Sequence, residues 1–433
     1  MNAEIRTDTT LPTITEVRLT PILIADPPLL NLSGVHQPYT PRLIVEVEIE
    51  GGIVGLGETY GDTVYFERAK ALAPELVGQS VGAVNTIGGI GQEASTLLEA
   101  QPAASGLRGA LTTDKVRLSV LSAFEVAALD ALGQQLGVPV HALLGGKVRD
   151  HVEYSGYLFY KWAEHPVEDA LGDDWGAALD PDGVVRQARK FFEYGGFRSF
   201  KLKGGVLPPD EEIAAIRALA DEFPGMPLRL DPNGGWTLRT ALHVAQELTG
   251  VVEYLEDPTA TVADMAEVHR RTGIPLATNM IVTALNEVRP AFDADAVQIV
   301  LSDHHYWGGL FATRDLAAVC RAYGRGLSMH SNTHLGISLA AMTHVAATVP
   351  DLEYACDSHY PWQREEVITT PITFTDGAVT VSDAPGLGVT LDRDAVARLH
   401  ERWNAMPELR DRDDIAAMRR AKPGFEDPGI PKY

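Results

Sequence analysis

Between residues 152 and 356 the chain repeats one pattern, a short apolar run followed by a longer stretch with apolar residues at helical spacing. That alternation marks parallel βα units and constrains the fold more than any other feature, because parallel strands must be joined by a crossover that packs back on the sheet. The runs VEYSGYL, RSFKLK, PLRLD, VEYLE, PLATN, AVQIVL, GLSMH and LEYAC give eight strands, the first seven each followed by a helical segment. The fold class expected is α/β, a (β/α)7β barrel over residues 151–384. No repeat of about 20–50 residues is visible, which argues against a solenoid.

Ahead of the barrel, after a polar tail, RLTPILIA, RLIVEVEIE and IVGLGE read as antiparallel strands, the last two joined as a hairpin at Gly51 and Gly52. Helices are predicted around residues 66–77 and 116–135. This gives an α+β capping domain over residues 1–150, completed by about residues 385–433, with a short β excursion at 371–388. Residues 164–182, rich in Asp, Gly and Ala, read as a long loop after the first barrel strand. A chain of 433 residues accommodates both domains.

A net charge of −23 with no basic stripe excludes a nucleic-acid partner. It leaves room for a small dianion, since a bound cation and a few basic side chains reverse the local field. No basic start precedes an apolar run, and no stretch nears the roughly 18 apolar residues of a membrane span, so a cytoplasmic protein without a membrane partner is expected. Cys320 and Cys356 lie in apolar segments and read as buried free thiols.

Catalytic groups of such a barrel sit at the carboxyl ends of its strands. The second strand ends in Lys201 and Lys203, which a side-chain period of two points to one face. Adjacent like charge is expected to lower the pKa of each, preparing Lys203 as a base. Asp231, Glu256 and Asn279 end the next three strands at intervals of 25 and 23 residues. Singly each would be a helix cap, but three hard oxygen donors from consecutive units suit Mg²⁺. Asp303 follows the sixth strand and His330 ends the seventh, an arrangement in which the carboxylate fixes the imidazole's tautomer. The set describes abstraction of a carboxylate's α-proton, with the ion and Lys201 stabilising the enediolate charge.

These strand ends, together with NLSGVH, GYLFY, FKLKGGVL, LDPNGGW, LEDP, ATNM, HSNTH followed by LGISLAAMTHVAA, and PGLGV, resemble the enolase superfamily and, within it, the glucarate dehydratases. A Lys or His base working with Mg²⁺ is general to that superfamily. The resemblance implies metal ligands at Asp231, Glu256 and Asn279, opposed bases Lys203 and His330, Asp303 supporting His330, and Lys201 on the substrate carboxylate. It also implies substrate contacts at Asn31, His36, Tyr157, Asn233 and Ser331, and further contacts at Thr112, His359 and Arg412. The expected reaction is loss of water from D-glucarate or its L-idarate epimer to give 5-dehydro-4-deoxy-D-glucarate, in a homo-oligomer with a diacid sugar as its small-molecule partner. Galactarate or an aldonate as substrate, a racemase sharing the first half-reaction, and an inactive sugar-binding paralogue are the alternatives. HSNTH carries Thr333 where that family has Asn, and the 164–182 loop is shorter and different.

Overall fold

The computed structural model describes residues 11–92, 96, 98, 111–166 and 170–433. Residues 1–10 of the polar tail and 167–169 of the long loop lie outside the described residues.

Three antiparallel strands open the chain: β1 (Ile14–Ala25) pairs with β2 (Tyr39–Ile49), and β2 with β3 (Val54–Tyr60). Gly51 and Gly52 join the latter two with φ of 95° and 80°, the positive values that a tight hairpin turn asks of both central residues. Helix α1 (Thr63–Leu76) follows, and α2 (Thr113–Leu136) lies across the sheet. Its approach depends on glycine: a Cβ at Gly55 or Gly57 would sit 2.0 or 2.1 Å from the carbonyl oxygens of Ala127 and Ala123.

The barrel strands are β4 (His151–Phe159), β5 (Phe200–Lys203), β6 (Leu228–Asp231), β7 (Tyr254–Glu256), β8 (Leu276–Thr278), β9 (Ile299–Ser302), β10 (Gly326–Met329) and β11 (Cys356–Ser358). They form a nearly closed parallel sheet in the order β10-β9-β8-β7-β6-β5-β4-β11. The crossovers are α3 (Pro181–Gly195), α4 (Pro209–Glu222), α5 (Leu238–Leu248), α6 (Val262–Thr272), α7 (Leu285–Asp293), α8 (Leu310–Ala322) and α9 (Gly336–Ala347). The eighth strand begins where LEYAC ends. Residues 352–355 lie before the ladder, with the Tyr354 ring packed on Tyr254 and the Ala355 carbonyl taken by Arg229 and Ser328. The excursion at 371–388 supplies Ala378–Thr380, antiparallel to β4.

Two C-terminal helices, α10 (Arg393–Ala405) and α11 (Asp414–Ala421), return to the N-terminal part. On α10, His400 Nδ1 meets the Pro21 carbonyl at 2.7 Å and Arg402 donates to the Leu23 carbonyl at 3.1 Å. Asp414 accepts from Asn31 Nδ2 at 2.7 Å. A fully buried ion pair joins the sheet to the barrel: Arg42 on β2 donates to Glu58 on β3 at 2.6 Å, and Glu58 accepts from the backbone of Leu335 and Ser338 at the start of α9. Both cysteines are buried and free, and among the described residues no helix is long and apolar enough to cross a membrane.

Candidate active site

Asp231 and Glu256 are the last residues of β6 and β7, and Asn279 directly follows β8. All three are buried. Both carboxylate oxygens of Glu256, both amide atoms of Asn279 and Oδ1 of the neighbouring Asn233 make no hydrogen bond. Buried polar atoms left this way cost about 1–3 kcal/mol each, and oxygens orphaned on adjacent strand ends fit a hard divalent cation such as Mg²⁺. The adjoining Asp257 is turned elsewhere. Its carboxylate takes the Thr278 hydroxyl at 2.5 Å and the Asn279 backbone at 2.9 Å, fixing the strand end that presents Asn279. Asn233 and Asp257 hold φ of 52° and 40°, left-handed values that Asn and Asp adopt more readily than other side chains.

Lys201 and Lys203 share the inner face, but the expectation that each lowers the other's pKa fails for Lys201. Burial does push its ammonium downward, yet Asp357 at 2.7 Å, Glu256 at 2.5 Å and Asp231 at 3.2 Å outweigh that and raise it well above its ordinary value. The Glu256 contact is an ion pair to Oε2 without hydrogen-bond alignment, so that oxygen has a charge partner and lacks only a hydrogen bond. Asp357, on β11, is not evident from the sequence, because the apolar run LEYAC ends at Cys356 and the strand continues beyond it to Ser358. Lys203 Nζ donates to Asp231 Oδ2 at 2.7 Å and to the Tyr157 hydroxyl at 2.9 Å.

Across the barrel, His330 Nδ1 lies 3.2 Å from Asp303 Oδ2, which leaves its Nε2 free of that carboxylate. Burial lowers His330 below 6.5, an effect the Asp303 bond opposes, so the ring is neutral near pH 7. Burial also pushes Asp303 upward, but the charge of His305 and the bonds from His305 and His330 reverse this and hold it well below the carboxylate range. Asp303, His305 and His334 bring donor atoms within 4.8 Å of one another. Asp303 already commits its two oxygens to His305, Tyr60 and His330, so an ion there would be bound at the expense of the dyad.

One small cavity is lined by Asn31, His36, Tyr157, Lys203, His330, His359 and Arg412, seven of the residues singled out in the sequence, together with Phe159 and Asn332, which were not. Asn332 lies inside the quoted HSNTH segment, and Phe159 shares the inward face of β4 with Tyr157, two residues on. The far end of the cavity is basic and rigidly held: His36 Nδ1 faces Asp26 at 3.2 Å, and Arg412 donates to Asp414 at 3.0 Å. Ser331 Oγ accepts from the His359 backbone at 3.3 Å. Thr112 is the N-cap of α2, its hydroxyl accepting from Lys115 N at 3.1 Å, and it is not among the cavity-lining residues. A larger groove of about 530 Å³ beside β3 and residues 384–393 carries, among the described residues, Arg393 as its one charged lining residue, too little for chemistry.

Thr333 has φ of 57°, a conformation that a β-branched residue adopts at a cost of about 1–2 kcal/mol and Asn tolerates far better. Thr333→Asn is therefore expected to raise stability by about 1 kcal/mol in denaturant unfolding. No gain would mean that the Thr333 hydroxyl's bond to Asn332 Oδ1, at 3.0 Å, offsets the backbone strain.

The family model for the mandelate racemase / muconate lactonizing enzyme N-terminal domain matches residues 16–145, and the enolase C-terminal domain-like model matches residues 183–395. A probable glucarate dehydratase of Streptomyces coelicolor is 64% identical over 426 residues, covering 97% of this chain and 99% of that protein. An enolase of Mycobacterium smegmatis solved with formate and acetate is 50% identical, superposes with a TM-score of 0.92, and the match covers 98% of this chain and 100% of that one. A Pseudomonas fluorescens enolase solved with bound magnesium, potassium and tartrate is 45% identical, with a TM-score of 0.92 and the same coverage. With both of its domain models matched and relatives similar over nearly their whole lengths, the chain belongs to the enolase superfamily.

Proposed function

We propose that this protein is a Mg²⁺-dependent hydro-lyase that removes water from D-glucarate, and from its epimer L-idarate, to give 5-dehydro-4-deoxy-D-glucarate. The observation that carries the reading is a single cavity lined by two candidate bases, Lys203 and His330, beside an orphaned oxygen set and a second basic end. The 64% identity to a probable glucarate dehydratase supports it.

Asp231, Glu256 and Asn279 would hold the ion, which when bound draws electron density from the substrate carboxylate and so acidifies its α-proton. Lys201, kept as an ammonium by Asp357, pairs with that carboxylate. His330 Nε2 takes the proton from C5 of D-glucarate, and the electron pair of that C–H bond moves into the enediolate. The enediolate then expels the C4 hydroxyl, which leaves as water with the proton His330 returns. The resulting enol tautomerises to the ketone, so one water is lost and nothing is oxidised or reduced. Lys203 faces the C5 proton of the idarate epimer, and Tyr157 and Asp231 orient its amine. Asn31, His36 and Arg412 receive the distal carboxylate and hydroxyls, with His359, Ser331 and Asn233 completing or supporting that recognition.

A second basic end is what a diacid needs and a monoacid does not. The deciding experiment is a screen of purified protein with Mg²⁺ against hexarates and aldonates, following the 2-keto product. Turnover of D-glucarate in preference to galactarate and aldonates is expected, and turnover of aldonates alone would overturn the diacid assignment. Because His330 must be neutral to act and burial holds it below 6.5, the acid limb of the pH–rate profile for D-glucarate is expected to have its midpoint below 6.5. A midpoint above that value would remove His330 as the base for this substrate.

A further inference from the structure

Asp303 holds more than the His330 ring. Its Oδ2 also accepts from the Tyr60 hydroxyl at 2.9 Å, and its Oδ1 accepts from His305 Nδ1 at 2.7 Å and His305 N at 2.9 Å. The far nitrogen of His305, Nε2, lies 3.0 Å from the Glu58 carbonyl and 3.1 Å from the Ser338 hydroxyl, so the ring is pinned at both ends. Tyr60 and Glu58 belong to β3 of the N-terminal sheet, more than two hundred positions from their partners in the chain. The same sheet reaches His330 by a second route. Tyr60 stacks on Tyr306 at 14° with centroids 5.6 Å apart, and Tyr306 stacks on His330 at 23° and 6.2 Å.

A carboxylate has about four acceptor positions, and here donors other than His330 occupy three. They fix the plane of the carboxylate, and by sharing its charge they limit how strongly it stabilises a protonated His330. We propose that Tyr60 and His305 are positioning residues of the His330 base, so that the N-terminal sheet orients and tunes the proton-abstracting group in addition to covering the barrel. This rests on reading His330 as the base for D-glucarate.

The other charged or titratable groups around His330 include Lys201, Asp357 and His359, Lys203 and Arg412 in the same cavity and Tyr306 stacked on its ring, and none is replaced in Tyr60→Phe. That variant keeps the ring stack and deletes only the hydroxyl. Relieved of one donor, Asp303 binds the imidazolium more tightly, so the acid limb with D-glucarate should move up by about half a unit to one unit. The rate should fall about tenfold as the ring loses alignment. Solvent-deuterium exchange into L-idarate, which runs through Lys203, should be unchanged. His305→Gln should shift the limb in the same direction.

The second readout needs no turnover. Full-length ¹⁵N-histidine-labelled protein, with the His330 signal assigned by its loss in His330→Gln, should show His330 titrating at higher pH in both Tyr60→Phe and His305→Gln. An unmoved His330 titration in both variants overturns the proposal, as does an equal loss of the Lys203-side exchange, the sign of general damage. If the wild-type protein converts no diacid, the dehydratase reading fails, and the titration still decides whether Tyr60 and His305 set the imidazole.

Discussion

Replacing His330 with Gln is expected to lower kcat/KM for D-glucarate by about 10³–10⁴-fold, the upper part of the roughly 10²–10⁴-fold range that a positioned general acid–base group contributes. The effect is large because one ring serves twice, taking the C5 proton and then protonating the departing hydroxyl. Exchange of solvent deuterium into L-idarate should survive in this variant, since its proton faces Lys203, whose contacts with Asp231 and Tyr157 are untouched. Lys203→Gln should show the reverse, losing exchange into L-idarate while still dehydrating D-glucarate. Mass spectrometry of each epimer recovered from D₂O measures both. Two variants that behave alike would sink the assignment of one base to each face.

The candidate metal-side groups stand out in the sequence because a βα barrel places its chemistry periodically. Asp231 and Glu256 close their strands and Asn279 directly follows its own, one group per unit, and a side-chain period of two aligned Lys201 with Lys203. What failed lay where several segments converge. Asp357 sits on a strand of three residues that begins later than its apolar run suggested, and it reverses the expected pKa direction of Lys201. Tyr60 and Glu58 looked like ordinary residues of a hairpin strand, and nothing in their local spacing shows that they end beside Asp303 and His305. Thr112 illustrates the opposite case. A residue carried over from a resemblance proves in this structure to cap a helix, where its hydroxyl satisfies a backbone N–H that the first turn leaves unpaired.

Removal of Mg²⁺ with EDTA should abolish turnover of D-glucarate, and the oxygens of Glu256 make a sharper prediction about stability. With no ion, Glu256 is a fully buried carboxyl group whose oxygens lack hydrogen bonds; burial and the like charge of Asp231 push its pKa well up against the pull of Lys201 at 2.5 Å, and Lys201 keeps Asp357 as a second partner. Glu256→Gln removes a charge that the metal-free protein holds at a loss, so in EDTA the variant should be as stable as the wild type or more so. In Mg²⁺ the order should reverse. At a concentration one hundred times its Kd the ion adds about 2.7 kcal/mol to the wild type, and a variant lacking the central carboxylate ligand gains little of it. Thermal unfolding of both proteins with EDTA and with Mg²⁺ measures all four states. A Glu256→Gln variant that gained as much from Mg²⁺ as the wild type would place the ion elsewhere, and Asp303, His305 and His334 would then be the cluster to mutate next.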